Sequence, residues 1–179
     1  FHLLIAVILS AQTTDAQVNK VTPLLFGKYS NPAELMEADI AEVEKIIKST
    51  GFYKVKAKNI TRAAKTLVLN FNSKVPIFME DLLTIEGVGR KSANVVRAHC
   101  YNKPAIIVDT HFSRVTGRLG FTDSSDPKII ESDLLLITNK KIQTDFSMMI
   151  NIHGRKICTA RKPLCMECTI SEICKYAAN

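Results

Sequence analysis

The sequence predicts an all-α protein, and three observations lead to that prediction. Apolar residues recur three and four positions apart along most of the chain, which is the spacing of one helix face. The only short β-like run is at residues 106–108, and no stretch alternates apolar and polar residues over a useful length. With 179 residues and 46% hydrophobic content, the chain can bury a sizeable core in one or two domains.

The first half of the chain carries a series of helix starts, each with capping residues or proline near an apolar face. These signals are the apolar run at 1–10, the capping residues at 12–15 followed by Ala16, Val18, Val21 and Leu24, Asn31 before Pro32, Asp39 before Ile40, and the apolar spacing over 56–71. The first run is apolar on nearly all sides and is expected to be a buried helix. Gly51 is the expected stop of the helix that Asp39 begins.

Helical signals continue after a turn at residues 72–76. Over residues 82–96 the sequence predicts two short helices joined by a hairpin, and the second of them runs to about Cys100. Further helices are expected to start at Asp109 and at Asp126. A last helix carries Phe146, Met149, Ile150 and Ile152. Residues 102–104 end the helix of the hairpin, because Pro104 cannot continue it. This break predicts a first domain over residues 1–103 and a second over residues 104–179.

The hairpin is the stretch around which the chain is organised. Gly87 and Gly89 flank the single apolar residue Val88, and Arg90 and Lys91 open the following helix. Glycine lets the backbone approach another molecule closely, and a helix N-terminus favours an anion such as a nucleic-acid phosphate. The alternative is a tight turn with no ligand. Lys91 is placed to face whatever the hairpin holds.

Four cysteines close the chain, with six, two and five residues between Cys158, Cys165, Cys168 and Cys174. This spacing wraps one continuous loop around a centre larger than a single ion, so it favours a four-iron cluster over zinc. Cys100 is expected to be a buried core thiol. Arg161 and Lys162 lie inside the first metal loop, where they either contact phosphate or form an ordinary solvated surface.

The charge balance suggests a polyanionic partner, since Lys and Arg number 24 against 17 Asp and Glu, for a net charge of +7. The apolar opening is too short to span a membrane and lacks the basic flank of a signal peptide. The expected location is the cytoplasm if the source is bacterial, and the nucleus or mitochondrion if it is eukaryotic. Because Phe1 begins inside a predicted helix, some preceding sequence is expected to be missing.

Taken together, these motifs resemble the endonuclease III family of DNA glycosylases and AP lyases. The resemblance covers nearly the full chain. It is carried by the hairpin, by Gly87-Val88-Gly89-Arg90-Lys91 in particular, by Val108-Asp109-Thr110-His111, by the cysteine spacing, by Leu9-Ser10-Ala11-Gln12 and by His153-Gly154-Arg155. It implies a six-helix barrel-like domain and a helical domain with a [4Fe-4S] cluster, with DNA in the cleft between them. Two departures are an absent N-terminal helical segment and Glu86, which stands where many members have proline.

The resemblance also implies an activity and roles for residues. The activity is base excision of oxidised pyrimidines from duplex DNA, with strand cleavage at the resulting abasic site by a monomeric enzyme. Lys91 corresponds to the nucleophile, Asp109 to the catalytic carboxylate, and the four closing cysteines to the cluster ligands. Gln12 and Phe52 occupy positions similar to the DNA-inserting loops, although Phe52 could instead be a core aromatic.

Two other functions stay open at this point. One is a mismatch-specific glycosylase of the same superfamily, in which the Lys91 position is not lysine and an acid lies in the first helix. Residues 1–14 contain no acid and Lys91 is present, so the sequence argues against this function. The other is a DNA-binding iron–sulfur protein without enzymatic activity, which only an assay separates from the enzyme.

Overall fold

The computed structural model describes residues 1–178 and confirms the all-α prediction. The α-helices of this part are α1 (His2–Leu9), α2 (Asp15–Lys28), α3 (Pro32–Met36), α4 (Ile40–Ile47), α5 (Tyr53–Phe71), α6 (Met79–Leu82), α7 (Arg90–Tyr101), α8 (Thr110–Leu119), α9 (Pro127–Ile137) and α10 (Gln143–Lys156). Short 3₁₀ turns lie at Lys48–Thr50, Lys140–Ile142, Cys165–Glu167 and Ser171–Ile173. No residue from 1 to 178 belongs to a β-strand, and the run at 106–108 forms no helix or strand; Ile107 N donates to Ser147 Oγ on α10 at 3.0 Å.

Backbone packing divides the chain into two compact units, one from Phe1 to Val96 and the other from Arg97 to the C-terminal end. The division lies inside α7, upstream of the predicted boundary after residue 103. Helix α7 is continuous from Arg90 to Tyr101, and the proline-containing segment at 102–104 follows its end. The domain boundary after residue 103 stays a prediction.

The first unit is built around α5, which packs against α1, α3 and α4. Small side chains on α5, including Ala57, Ala63 and Ala64, are fully buried and let the neighbouring helices approach closely. Its remaining core is aliphatic and includes Leu4, Ile5, Leu9, Leu25, Leu35, Val43, Ile47, Ile60 and Leu67. The apolar α1 buries Leu4, Ile5, Ile8 and Leu9, as the sequence predicts.

The capping predictions for this unit are confirmed. Asn31 Oδ1 accepts a hydrogen bond from Glu34 N at 3.0 Å, and Asp39 Oδ1 accepts one from Ala41 N at 3.0 Å. The buried face of α2 differs from the prediction at two positions, since Ala16 is exposed and Leu24 is 66% exposed, whereas Leu25 is fully buried. The reason is helical phase: Leu25 lies four residues after Val21 and seven after Val18, which are both buried.

The second unit has its own aliphatic and aromatic core, formed by Ile106, Val108, Phe112, Val115, Ile130, Leu134 and Ile150. Helix α8 packs against α10, and a Cβ on Gly154 would lie 3.0 Å from His111 Cβ and from Val115 Cγ2. Gly154 therefore permits close contact between the two helices. The prediction of a buried Cys100 is wrong: its side chain is exposed, because it lies in the last turn of α7 beyond the buried part of that helix.

Among the described residues, no helix is both long and apolar enough to cross a membrane.

Candidate functional site

The hairpin connects α6, which ends at Leu82, to α7, which begins at Arg90. Val88 N donates to Ile85 O at 3.1 Å, and both side chains are buried, so Val88 is the predicted apolar anchor and offers only its main chain to a ligand. Gly87 has a φ of +77°, and a Cβ there would lie 3.0 Å from Ile8 Cγ2. Gly87 is therefore required by both backbone conformation and space.

Gly89 has a different function in the same turn. A Cβ added to Gly89 would meet no atom within 4 Å, so the protein itself leaves this position open. Gly89 O accepts the first helical hydrogen bond of α7, from Ala93 N at 2.9 Å. As the N-cap it has no side chain to cap the first turn, which suits main-chain binding of an anion there.

Lys91 is exposed in the first turn of α7 and lines a cavity of about 1050 Å³, a volume that includes its open mouth. Gln12 lines the same cavity, so the structure brings together two residues predicted from separate motifs. Asp15 also lines it. Asp15 belongs to the first turn of α2, so α1 contains no acid, as the sequence predicts.

Gln12 and Phe52 both lie in loops with unusual backbone conformation. Gln12 has a φ of 53° and Phe52 a φ of 47°, in the left-handed region that residues other than glycine rarely adopt. The Phe52 side chain is 69% exposed, so the alternative that it is a core aromatic is wrong. Each loop thus presents a side chain to solvent from a constrained backbone.

Asp109 lies in the second unit at the start of α8, and its carboxylate has two partners. Oδ1 accepts from Phe112 N at 2.8 Å, which makes Asp109 the N-cap of α8, and Oδ2 accepts from Asn151 Nδ2 on α10. The carboxylate borders an open cavity of about 970 Å³ that Ser113, Arg114 and Ser124 also line. The Asp109 side chain is half-buried, and its two hydrogen-bond partners orient the carboxylate. Asn151 is a contact that sequence reasoning missed.

The four predicted ligand cysteines line a single small cavity of the second unit. Cys158, Cys165, Cys168 and Cys174 are all free thiols, and the cavity that they border has a volume of about 350 Å³. The other walls are largely apolar and include Val115, Leu119, Ile157, Leu164 and Ile170. Four thiols around one apolar space suit an iron–sulfur cluster, whose irons each take one thiolate.

A site for one metal ion is not formed by these side chains. Over residues 1–178, no three His, Cys, Asp or Glu side chains come close enough together to hold a single ion. The assignment of the cysteines to a cluster rests on the cavity that they share. His153 also lines this cavity, with Nε2 3.8 Å from Cys168 Sγ.

Two arginines of α8 join that helix to the cysteine loop, and the sequence alone did not indicate them. Arg118 donates to Thr159 O at 2.8 Å, to Ala160 O at 3.0 Å and to Cys158 Sγ at 3.2 Å. Its guanidinium also lies 4.4 Å from the centre of the Tyr176 ring. Arg114 donates to Gly154 O at 2.8 Å and to Cys158 O at 3.0 Å.

The remaining charged residues of the predicted site lie at the surface. Arg161 and Lys162 are exposed in the loop between Cys158 and Cys165. Glu86, the acidic departure before the hairpin, accepts a hydrogen bond from Arg62 Nη1 at 3.2 Å. Both partners of this pair are exposed, so the pair contributes little to stability. The Arg62 guanidinium offsets the negative charge of the Glu86 carboxylate near the hairpin.

A helical fold with a glycine hairpin and a four-cysteine loop defines the class: an iron–sulfur protein with the helix-hairpin-helix of DNA repair enzymes. Residues 5–140 match the HhH-GPD superfamily of base excision DNA repair proteins, and residues 158–174 match the iron–sulfur binding domain of endonuclease III. The chain is 49% identical to endonuclease III of Synechocystis sp. over 98% of its length and 81% of that protein. It is 44% identical to endonuclease III of Rickettsia conorii over 100% of its length and 85% of that protein.

Solved structures agree with the sequence relatives. A trapped covalent intermediate of endonuclease III with DNA superimposes with a TM-score of 0.93 at 40% identity, covering 98% of this chain and 83% of that one. This chain therefore belongs to the endonuclease III family. The predicted family, helical fold, iron–sulfur cofactor and DNA partner are confirmed. The roles assigned to individual residues stay predictions.

Proposed function

We propose that this chain excises oxidised pyrimidines from duplex DNA and then cuts the strand at the abasic site, with Lys91 as the nucleophile. The supporting observation is the placement of Lys91, which lies at the hairpin end of α7 and lines an open cavity. The related endonuclease III has been solved as a trapped covalent intermediate with DNA, which is what attack by an amine would produce.

The reaction begins with the Lys91 amine in its neutral form, because only the neutral form has a free electron pair. That pair attacks C1′ of the damaged nucleotide, the N-glycosidic bond breaks, and the base leaves with a proton. The sugar ring opens to an imine between C1′ and Lys91. The imine makes the C2′ proton acidic, and its removal expels the 3′ phosphate by β-elimination. Water then hydrolyses the imine and releases the lysine.

Asp109 is the proposed electrostatic and proton-transfer group. Positive charge develops on the sugar as the base departs, and a fixed carboxylate stabilises it. Hydrogen bonds from Phe112 N and from Asn151 Nδ2 hold both oxygens of Asp109 in place, so the carboxylate does not have to reorganise during the reaction. The N-cap function of Asp109 thus supports its catalytic function.

The proposed DNA contacts use main chain and surface cations. The amides at the N-terminus of α7, next to Gly89, bind a backbone phosphate, as does the Arg90 side chain. Arg161 and Lys162 supply further phosphate contacts from the cysteine loop. Gln12 and Phe52 enter the duplex when the damaged base leaves the stack. A cluster bound by Cys158, Cys165, Cys168 and Cys174 supplies iron–thiolate cross-links that hold this loop.

The proposed location is the bacterial cytoplasm, where the chromosomal DNA lies. The endonuclease III relatives described above come from bacteria. The test is cell fractionation of the source organism, in which the protein should be recovered with the soluble fraction and the nucleoid. Recovery with the membrane fraction would contradict this location.

The test of the chemistry is borohydride trapping. Incubation of the parent protein with duplex carrying one oxidised pyrimidine, in borohydride, should give a covalent protein–DNA adduct that denaturing gels resolve. Lys91→Gln should abolish the adduct and strand cleavage but still bind DNA, since the hairpin amides remain. Lys65→Gln, which removes an exposed lysine of α5, is the matched control and should be trapped like the parent. An adduct formed by Lys91→Gln would show that another amine is the nucleophile.

A further inference from the structure

The two loops that carry Gln12 and Phe52 are hydrogen-bonded to each other inside the first unit. We call residues 10–14 the first loop and residues 48–52 the second loop. Thr13 Oγ1 of the first loop donates to Thr50 O of the second loop at 2.5 Å. Gln17, which follows the first loop, donates from Nε2 to Ser49 O at 3.2 Å. The loops are therefore one connected assembly and not two independent turns.

The amine of Lys56 lies at the point where the two loops meet. Lys56 belongs to the first turn of α5 and is only 4% exposed. Its Nζ donates to Thr50 O at 2.8 Å and also to Thr13 Oγ1. Thr13 is the neighbour of Gln12, and Thr50 lies two residues before Phe52. One buried cation thus binds both loops beside the residues that they present.

Both loops need such support because of their backbone conformation. Gln12 and Phe52 are non-glycine residues with positive φ, and such conformations persist only where surrounding contacts determine them. Gly51, between Thr50 and Phe52, also has a positive φ, of 67°. Without the hydrogen bonds between the loops, we expect the chain at Gln12 and Phe52 to relax to commoner backbone conformations.

Burying a lysine costs free energy, because its ammonium group loses water. The amine of Lys56 is therefore expected to do more than fill space. Burial lowers the pKa of Lys56, because the interior disfavours the ammonium form. An unbranched apolar side chain would occupy the same volume without this penalty. What only the ammonium provides is three N–H donors at one point. Two of the bonds that it makes end on different loops.

From this geometry we infer that Lys56 is a positioning residue, which joins the first loop to the second and presets Gln12 and Phe52 for entry into duplex DNA. The inference rests on the proposed function, in which those two side chains fill the space left by the damaged base. Because catalytic steps depend steeply on the position of bound groups, loss of this link should act on duplex substrates and spare the chemistry of Lys91.

The experiment uses Lys56→Met, which keeps the length of the side chain and removes its donors. Lys65→Met, on the exposed side of the same helix, controls for the loss of one positive charge. Phe52→Ala removes one inserting side chain, and its loss of trapping rate on the duplex gives the reference for the size of the effect. Two substrates are compared: a duplex with one abasic site and 2-aminopurine opposite it, and the same abasic strand alone. Borohydride trapping reports the chemistry, and 2-aminopurine fluorescence reports whether the opposite base is displaced.

Lys56→Met should trap the duplex about tenfold to a hundredfold more slowly and lose most of the fluorescence change, while the single strand is trapped at the parent's rate. Its melting temperature should stay within about 4 °C of the parent's, since no apolar contact is lost. Equal rates and fluorescence for Lys56→Met and the parent would overturn the inference. A parent protein that traps neither substrate would instead overturn the proposed function.

If Lys56→Met folds poorly, a second pair of variants tests the hydrogen bond between Lys56 and the first loop. Thr13→Val removes the hydroxyl that connects Lys56 to the first loop, and Thr13→Ser keeps it. Thr13→Val should reproduce the duplex-specific loss, and Thr13→Ser should behave like the parent. If both variants lose the same amount, the hydroxyl bond has no positioning role and the inference fails. If Phe52→Ala acts like the parent, the insertion role of Phe52 is wrong.

Discussion

At the residue scale, the two hairpin glycines that look alike in sequence have different functions. Gly87 is fixed by its positive φ and by contact with Ile8, whereas Gly89 faces open space. Gly87→Ala should lower the free energy of unfolding by about 1–3 kcal/mol. Gly89→Ala should leave stability nearly unchanged and weaken DNA binding, because a methyl group would stand between the α7 amides and a phosphate. Chemical denaturation and fluorescence anisotropy measure the two effects. Equal loss of stability in both variants would contradict this separation.

The two functions proposed for Asp109, helix capping and catalysis, can be separated by two substitutions. Asp109→Asn keeps an oxygen that can accept from Phe112 N, whereas Asp109→Ala loses this cap and about 1 kcal/mol of stability. Both variants should slow base release by about 10²–10³, since both remove the carboxylate charge. Single-turnover release of the base and thermal unfolding provide the comparison. A near-normal rate for Asp109→Asn would show that Asp109 acts only as a cap.

Much of the site could be predicted at this scale, because its motifs are local. Lys91 follows the hairpin directly, and the four cysteines lie within one loop, so their positions in the sequence made them candidates and the family resemblance supplied the predicted role of Lys91. Asn151 and Arg118 could not be found in this way. Their partners, Asp109 and Cys158, are distant in sequence, and the contacts exist only once α8 packs against α10 and the cysteine loop.

At the element scale, helix starts were predictable because a cap depends on a few adjacent residues. Which side chains of a helix are buried was harder to predict. Whether Leu24 or Leu25 is buried depends on how α2 is rotated against its neighbours. The exposed position of Cys100 likewise depends on where α7 extends beyond the core. The conformations of Gln12 and Phe52 had no signal in sequence, because residues of these types rarely adopt a positive φ.

Arg118 links α8 to the cysteine loop, and this link should help to retain the cluster. Arg118→Ala removes three hydrogen bonds to that loop and the contact with Tyr176, so iron should be lost faster on dilution or oxidation than from the parent. Iron analysis and the visible absorbance expected of an iron–sulfur cluster measure retention. Arg161→Ala, which removes an exposed cation from the same loop, should retain iron normally, as should Cys100→Ser. Equal retention by Arg118→Ala and Arg161→Ala would refute a supporting role for Arg118.

At the scale of the whole molecule, composition bounds the partner better than it bounds the fold. A net charge of +7 suggested a polyanionic partner but did not indicate which surface binds it. The hairpin lies in the first unit and the exposed Arg161 and Lys162 in the second, so the proposed phosphate contacts come from both units. Only the order of motifs along the chain, read together, identified the family from sequence.

Arg161 and Lys162 should contact DNA phosphates, and the salt dependence of DNA binding tests this contact. The logarithm of DNA affinity should fall linearly with the logarithm of salt concentration, with a slope of about −0.9 for each phosphate contacted. If Arg161 and Lys162 each bind a phosphate, replacing both by alanine should make the slope shallower by about 1.8. Replacing the exposed Lys65 and Lys74 by alanine removes the same charge and should leave the slope unchanged. Anisotropy titrations at several salt concentrations give both slopes. Parallel lines for the two double variants would mean that Arg161 and Lys162 are solvated surface charges, because only cations bound to phosphate release counterions.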